Sequence, residues 1–196
     1  MAMYKAIIFD FFDVMAPDFY RVWLEKNGYE RRGEFLKLAQ EIDNGQINLK
    51  EYYSRLSSTS GQSAASLQDQ FENKTRLDLN IIKLISTLGV NYKVGLLTNS
   101  PSNLVRLILQ KSNLEKLFDD IVISAEVGCV KPNHQIFELA LERLKIHASE
   151  AVFIDDLQPY VEGAEAVGIA SIRFDNIHQL EIELKKLGLI IDKPLV

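Results

Sequence analysis

Apolar residues in this chain fall in short, nearly continuous runs, separated by stretches with helical spacing. Runs suited to strands lie at 4–9, 92–97, 120–123, 151–154 and 170–174. Most are unbroken rather than alternating, the pattern of strands covered by helices on both faces. Between them, 80–88 reads as a helix stopped by Gly89, and Ser102 stands as the cap of a helix over 103–112. The stretch 133–144 keeps helical spacing through Ile136, Phe137, Ala140, Leu141 and Leu144. A shorter helix is expected over 160–167, ended by Gly168.

One stretch breaks the alternation. From 15 to about 78 no run reads as a strand. Asn48-Leu49-Lys50-Glu51 has the form of a capping box ahead of Tyr52, Tyr53 and Leu56. Residues 57–63, rich in serine, read as a polar loop, followed by another helical run to Arg76. The predicted architecture is an α/β fold. Its Rossmann-like parallel-sheet core comprises 1–14 and 79–196, with an α-helical cap inserted at 15–78.

With 196 residues, 47% apolar and 25% charged, the chain has material for a sizeable core, which excludes disorder and a disulfide-stapled miniprotein. Its net charge of -5, with no run of Lys or Arg, argues against a nucleic-acid partner. Nothing approaches the roughly 18 apolar residues of a membrane span, and Met1-Ala2-Met3-Tyr4-Lys5 leads into apolar sequence too soon for a signal peptide. The single cysteine, Cys129, suits a reducing cytoplasm. Monomer and dimer both remain open.

In a parallel α/β sheet, ligands bind beyond the carboxyl ends of the strands. There the sequence places Asp10-Phe11-Phe12-Asp13, then Thr98-Asn99-Ser100, then Lys131-Pro132, then Asp155-Asp156. Carboxylates gathered at one apolar edge repel one another unless a cation neutralises them, and oxygen ligands select Mg²⁺ over Zn²⁺. With the cation in place Asp10 can attack phosphorus. Lys131 would then shield charge on the transferring group, and Thr98 would hold its oxygens.

This ordered set resembles the haloacid dehalogenase-like hydrolase superfamily, most of whose members are Mg²⁺-dependent phosphatases. Ile7-Ile8-Phe9-Asp10 is similar to the first motif and Leu96-Leu97-Thr98-Asn99 to the second. Val130-Lys131-Pro132 with Ile136-Phe137 is similar to the third, and Phe153-Ile154-Asp155-Asp156 with Val161-Glu162-Gly163-Ala164 to the fourth. Length and cap resemble the branch of small sugar-phosphate phosphatases and epoxide hydrolase amino-terminal domains. The resemblance implies Asp10 as nucleophile and metal ligand, with the Phe12 carbonyl as a second ligand. It implies Asp156 as a direct ligand, Asp155 as one acting through water, and Thr98, the Asn99 backbone and Lys131 as phosphoryl binders. The implied substrate is a small phosphate ester.

Two positions depart from that pattern. Phe12 stands where these phosphatases usually carry a second aspartate as general acid and base, and Asp13 follows one residue later, where it would stand in only if the turn bent back. Tyr160 stands where the fourth motif often has Asn. Two further readings follow: a dehalogenase in which Asp10 attacks carbon without a metal, and a degenerate member that binds a phosphate ligand or protein partner without turnover.

Overall fold

The computed structural model describes residues 4–73 and 76–191. Parts of the expected core (1–3 and 192–196) and of the helical run to Arg76 lie outside them.

After β1 (Ala6–Phe9) come α1 (Phe19–Lys26), α2 (Gly33–Asp43), α3 (Leu49–Ser60) and α4 (Ala64–Asn73). Helices and strands then alternate: α5 (Leu79–Leu88), β2 (Lys93–Thr98), α6 (Ser102–Lys111), β3 (Asp120–Ile123), the one-turn α7 (Ser124–Val127), α8 (His134–Leu144), β4 (Ala151–Asp155), α9 (Gln158–Ala166), β5 (Ala170–Arg173) and α10 (Ile177–Lys186). The strands form one parallel sheet in the order β3-β2-β1-β4-β5.

The period-two pleat divides β1 between two cores. Ile7 and Phe9 pack with Val94, Leu96, Val152 and Ile154 under α5, α6 and α10. Ala6 and Ile8 face the other way, with Leu97, Ala151 and Phe153, under α8 and α9. Both faces are thus covered, which is why the strands are apolar throughout. Beyond β3 the chain crosses back to lay β4 on the free side of β1. The carboxyl ends of β1 and β4 therefore flank the point where strand order reverses, the place where such sheets bind ligands.

Helices α1 to α4 bury a cluster of their own, including Tyr20, Trp23, Leu38, Tyr52, Leu56, Leu67 and Phe71. Each large side chain so buried contributes roughly 1.5–3 kcal/mol. Where the chain leaves and re-enters the core, the Asp78 N–H donates to the Met15 carbonyl at 2.8 Å, and the Asp78 carboxylate caps α5.

Two local expectations are corrected. Helix α6 begins at Ser102 itself, with Pro101 at the cap position and no side-chain cap. Proline fixes its own φ and needs no donor there, so the helix starts one residue earlier. The serine tract does not start a loop at 57. Helix α3 runs on to Ser60, with Ser58 and Thr59 donating their hydroxyls to the carbonyls of Ser54 and Arg55 one turn back, and Gly61, able to take φ 74°, ends it. No helix among the described residues is long and apolar enough to cross a membrane.

Candidate active site

The chain leaves β1 in a tight turn. The Asp10 N–H still donates to the Ile154 carbonyl at 2.9 Å, and the Phe11 carbonyl then accepts from both Met15 and Ala16. Asp13 takes φ 55°, the left-handed region that aspartate tolerates better than most residues. Its carboxylate is held by Arg21 through two bonds, Nη2 to Oδ1 at 2.8 Å and Nε to Oδ2 at 3.1 Å, and by the Asp18 N–H at 3.0 Å. The Phe12 ring lies edge-on between Phe11 and Phe19, 4.9 Å from each centroid.

Lys131 reaches into this turn from the loop before α8. Its Nζ sits 2.8 Å from Asp10 Oδ1 and 2.6 Å from Asp155 Oδ2, with Lys131 2% and Asp155 0% exposed. Asn99 grips its main chain from both sides, accepting from the Lys131 N–H at 2.8 Å and donating to its carbonyl at 3.0 Å. The Tyr160 ring lies 4.9 Å from the ammonium, and its hydroxyl accepts from Asn99 at 3.2 Å. The ammonium is therefore fixed in place. The other oxygen of Asp155 accepts the Leu157 N–H at 2.9 Å, ahead of α9.

One ammonium serves two carboxylates here, and a third stands beside them. Oxygens of Asp10, Asp155 and Asp156 all lie within 4.8 Å of one another. Burial pushes the Asp10 carboxyl above its ordinary range, the Lys131 charge offsets this only in part, and the Asp155 charge adds to it. Asp156 is pushed up to about 6 by burial and by the charges of Asp155 and Asp13. Burial works against the charge on Lys131, but Asp10 and Asp155 outweigh it and leave the ammonium harder to deprotonate than usual. Three carboxylates against one ammonium leave two negative charges to balance, which suits a divalent, oxygen-seeking cation. Thr98, at the end of β2, fits the same reading: among the described residues its buried hydroxyl has no hydrogen-bond partner, so it is free to donate to an oxygen ligand. Such an orphan costs about 1–3 kcal/mol unless an acceptor arrives.

A cavity of about 500 Å³ opens over this cluster, lined by Asp10, Phe12, Asp13, Asn99, Lys131 and Asp156 among others. Thr98 and Asp155 do not line it and sit beneath. The helical insertion also lines it, through Asp18, Arg21, Arg31 and Asp43. No motif in the sequence points to Arg31 or Asp43. The turn signature Asp43-Asn44-Gly45 was readable as the end of a helix, but nothing local aims that turn at the sheet edge.

The profile of the haloacid dehalogenase-like hydrolases matches residues 4–168. This chain belongs to that family. It is 31% identical over 165 residues to Acyl-CoA dehydrogenase family member 10 of Mus musculus, a match that spans 83% of this chain and 14% of the mouse protein. It is 27% identical over 152 residues to Sesquiterpene phosphatase astK of Aspergillus oryzae, across 76% of this chain and 78% of that protein. Its fold matches a HAD family enzyme of Bacteroides thetaiotaomicron solved in complex with magnesium and inorganic phosphate, with a TM-score of 0.71 at 19% identity, covering 90% of this chain and 98% of the other. The chain is thus a hydrolase by family, with a phosphatase among its relatives.

Proposed function

We propose that this chain is a magnesium-dependent phosphohydrolase of a small phosphate ester, such as a sugar phosphate, working through an aspartyl-phosphate on Asp10. The observation that carries the reading is the meeting of Asp10, Lys131 and Asp156 in one cavity, with Asp155 buried against Lys131. A catalyst of phosphoryl transfer needs a nucleophile, a cation and fixed positive charge in one place. Asp156 and Asp10 would hold Mg²⁺ with the Phe12 carbonyl. Asp155, both of whose oxygens already accept hydrogen bonds, would act through water. Bound there, the ion supplies charge neutralisation of the phosphoryl oxygens.

In the first half-reaction an Asp10 oxygen forms a bond to phosphorus, and the ester oxygen leaves with its electron pair. In the second, water attacks phosphorus, the acyl-phosphate bond breaks toward Asp10, and orthophosphate departs. Lys131 faces the Asp10 carboxylate throughout, and its fixed charge favours the ionised nucleophile. The Thr98 hydroxyl would donate to a phosphoryl oxygen, ending its unpaired state. A cavity of about 500 Å³ suits a substrate of sugar-phosphate size. A single cysteine fits a cytoplasmic setting for such an ester.

The test is a panel of sugar and nucleotide phosphates incubated with Mg²⁺ or with EDTA. Phosphate release should be EDTA-sensitive and absent in Asp10→Asn, which keeps the fold. Halide release from a 2-haloacid without metal, or saturable binding with no product from any ester, would overturn the proposal.

A further inference from the structure

An ester oxygen leaving as an alkoxide needs a proton, and the core side of the cavity offers no ready source. Phe12 has none to give. Asp13 is tied to Arg21 through both of its oxygens. One oxygen of Asp18 caps α1 and the other faces Arg31 at 3.8 Å. Asp155 is closed off beneath Lys131, and Asp175 stands at the rim 3.5 Å from Arg173. Asp10 and Asp156 are taken up as nucleophile and metal ligand, which leaves Asp43 of the helical insertion.

We propose that Asp43, carried by the helical insertion, gives a proton to the departing ester oxygen and takes one from the water of the second half-reaction. The inference rests on the phosphohydrolase reading and adds to it the group that Phe12 cannot supply.

Asp43 ends α2 and lines the same cavity as Asp10 and Lys131. It also lines a side pocket of about 60 Å³ with Phe12, Phe19 and Tyr52. Among the described residues its carboxylate accepts no hydrogen bond, unlike those of Asp13, Asp18 and Asp155. Its position is set by the core as well as by the insertion. The Asp43 carbonyl accepts the Ser124 hydroxyl at 2.5 Å, and Ser124 in turn accepts the Ser100 N–H at 2.9 Å, two residues beyond Thr98. Two residues on, Gly45 lies so close to α7 that a Cβ there would stand 2.4 Å from the Ala125 carbonyl oxygen, at φ 70°. The end of α2 is thus seated on the core, with Asp43 in the cavity that Asp10 and Lys131 also line.

The surroundings suit proton exchange near neutral pH. Burial pushes the Asp43 carboxyl up to about 7, against the charges of Arg31 and Lys131 and with that of Asp18. The phenols of Tyr20, Tyr52 and Tyr160 also face it and stay neutral at that pH. A catalytic acid works best when its pKa lies near the working pH. In the step, the phosphorus–ester oxygen bond breaks, its electron pair goes to oxygen, and that oxygen takes the Asp43 proton. The Asp43 carboxylate then takes a proton from water as the water oxygen bonds to phosphorus and the Asp10 oxygen leaves. Asp43 ends as it began, and the sum is ester plus water giving alcohol plus phosphate.

The test compares two esters on wild type, Asp43→Asn and Tyr160→Phe, with Asp43→Ala as a second variant and thermal melts to check folding. One ester is an alkyl phosphate, whose leaving oxygen needs a proton. The other is p-nitrophenyl phosphate, whose leaving oxygen does not. In single-turnover measurements of the first half-reaction, Asp43→Asn should slow release of the alkyl alcohol by about 10²–10⁴-fold, the range general acid catalysis supplies, while the burst of nitrophenol changes by less than about tenfold; the second half-reaction, common to both, should slow equally for the two esters. Equal losses on both esters in the first half-reaction, no loss on either, or the selective loss appearing in Tyr160→Phe instead would overturn the assignment of Asp43 and leave the phosphohydrolase reading standing. A wild-type protein that hydrolyses neither ester nor any of the panel above would overturn both.

Discussion

Replacing Lys131 by Met tests the electrostatic centre of the site. The change keeps the length of the side chain and its apolar packing, and the main-chain clamp from Asn99 does not depend on the ammonium. What is lost is the positive charge between Asp10 at 2.8 Å and Asp155 at 2.6 Å, all three side chains being buried. Removing one partner of a buried ion pair costs about 3–5 kcal/mol, because the remaining charge is left without compensation. At roughly 2–4 °C per kcal/mol for a domain of this size, the melting temperature of metal-free protein at pH 7 should fall by about 6–20 °C. Adding Asp155→Asn to Lys131→Met removes one uncompensated carboxylate, so the double variant should recover at least about 1 kcal/mol. Urea unfolding followed by circular dichroism measures all four corners of the cycle. A single-variant loss below about 1 kcal/mol, or strictly additive effects, would refute the shared-ammonium account.

Other consequences follow from the same geometry. Thr98→Val removes a buried hydroxyl that has no partner among the described residues, so stability should stay level or rise by up to about 1–3 kcal/mol while inorganic phosphate binding weakens, read by calorimetry with Mg²⁺ present. Gly163→Ala would set a Cβ 2.8 Å from Pro132 Cβ and 2.9 Å from its carbonyl oxygen, and should cost about 1–3 kcal/mol in urea midpoint while pressing on the residue next to Lys131. Asp43 and Asp156, at about 7 and 6 against an ordinary 3.8, hold protons in the folded chain that the unfolded chain has already lost. Stability of the metal-free protein should therefore be highest near pH 4 and fall as pH rises toward 7, with Asp43→Asn flattening that slope; a urea midpoint that rises across this window would contradict it. Mg²⁺ should raise the midpoint more at pH 7.5 than at pH 5, since protons compete for the same carboxylates.

What the sequence made legible was whatever the sheet dictates. Strands buried on both faces must be apolar, so β1 and β4 stood out, and a carboxylate following such a strand must sit at the ligand-binding edge. Asp10, Asp155 and Asp156 could be read for that reason. Lys131 could be placed at that edge by its position after the third strand, but its burial between two carboxylates could not be read, because a lysine in a loop carries no sign of burial; its partners lie 121 and 24 residues away. Asp43 could not be read at all. Its place over the cavity comes from the Ser124–Asp43 contact between residues 81 apart, which no local pattern encodes. The engagement of Asp13 by Arg21 was hidden for a similar reason: it depends on the direction in which α1 leaves the turn.

Phe12 links these pieces. Its ring joins Phe11 of the core to Phe19 of α1, and Phe19 lies 5.3 Å from Phe71 inside the insertion's own cluster. Aromatic pairs of this kind are worth about 0.5–1.5 kcal/mol each beyond their buried area, so the residue that gives up proton transfer also ties the insertion to the sheet edge. A carboxylate at that position would break those contacts and add negative charge beside Asp10 and Asp156, already pushed upward by burial and by neighbouring carboxylates. A carboxylate carried by the insertion avoids both penalties. It lies near Lys131 and Arg31, and it is held over the cavity by the same insertion that Phe12 helps to anchor. Phe12 and Asp43 are thus two halves of one arrangement, in which the proton-bearing group reaches the site only while the insertion is seated on the core.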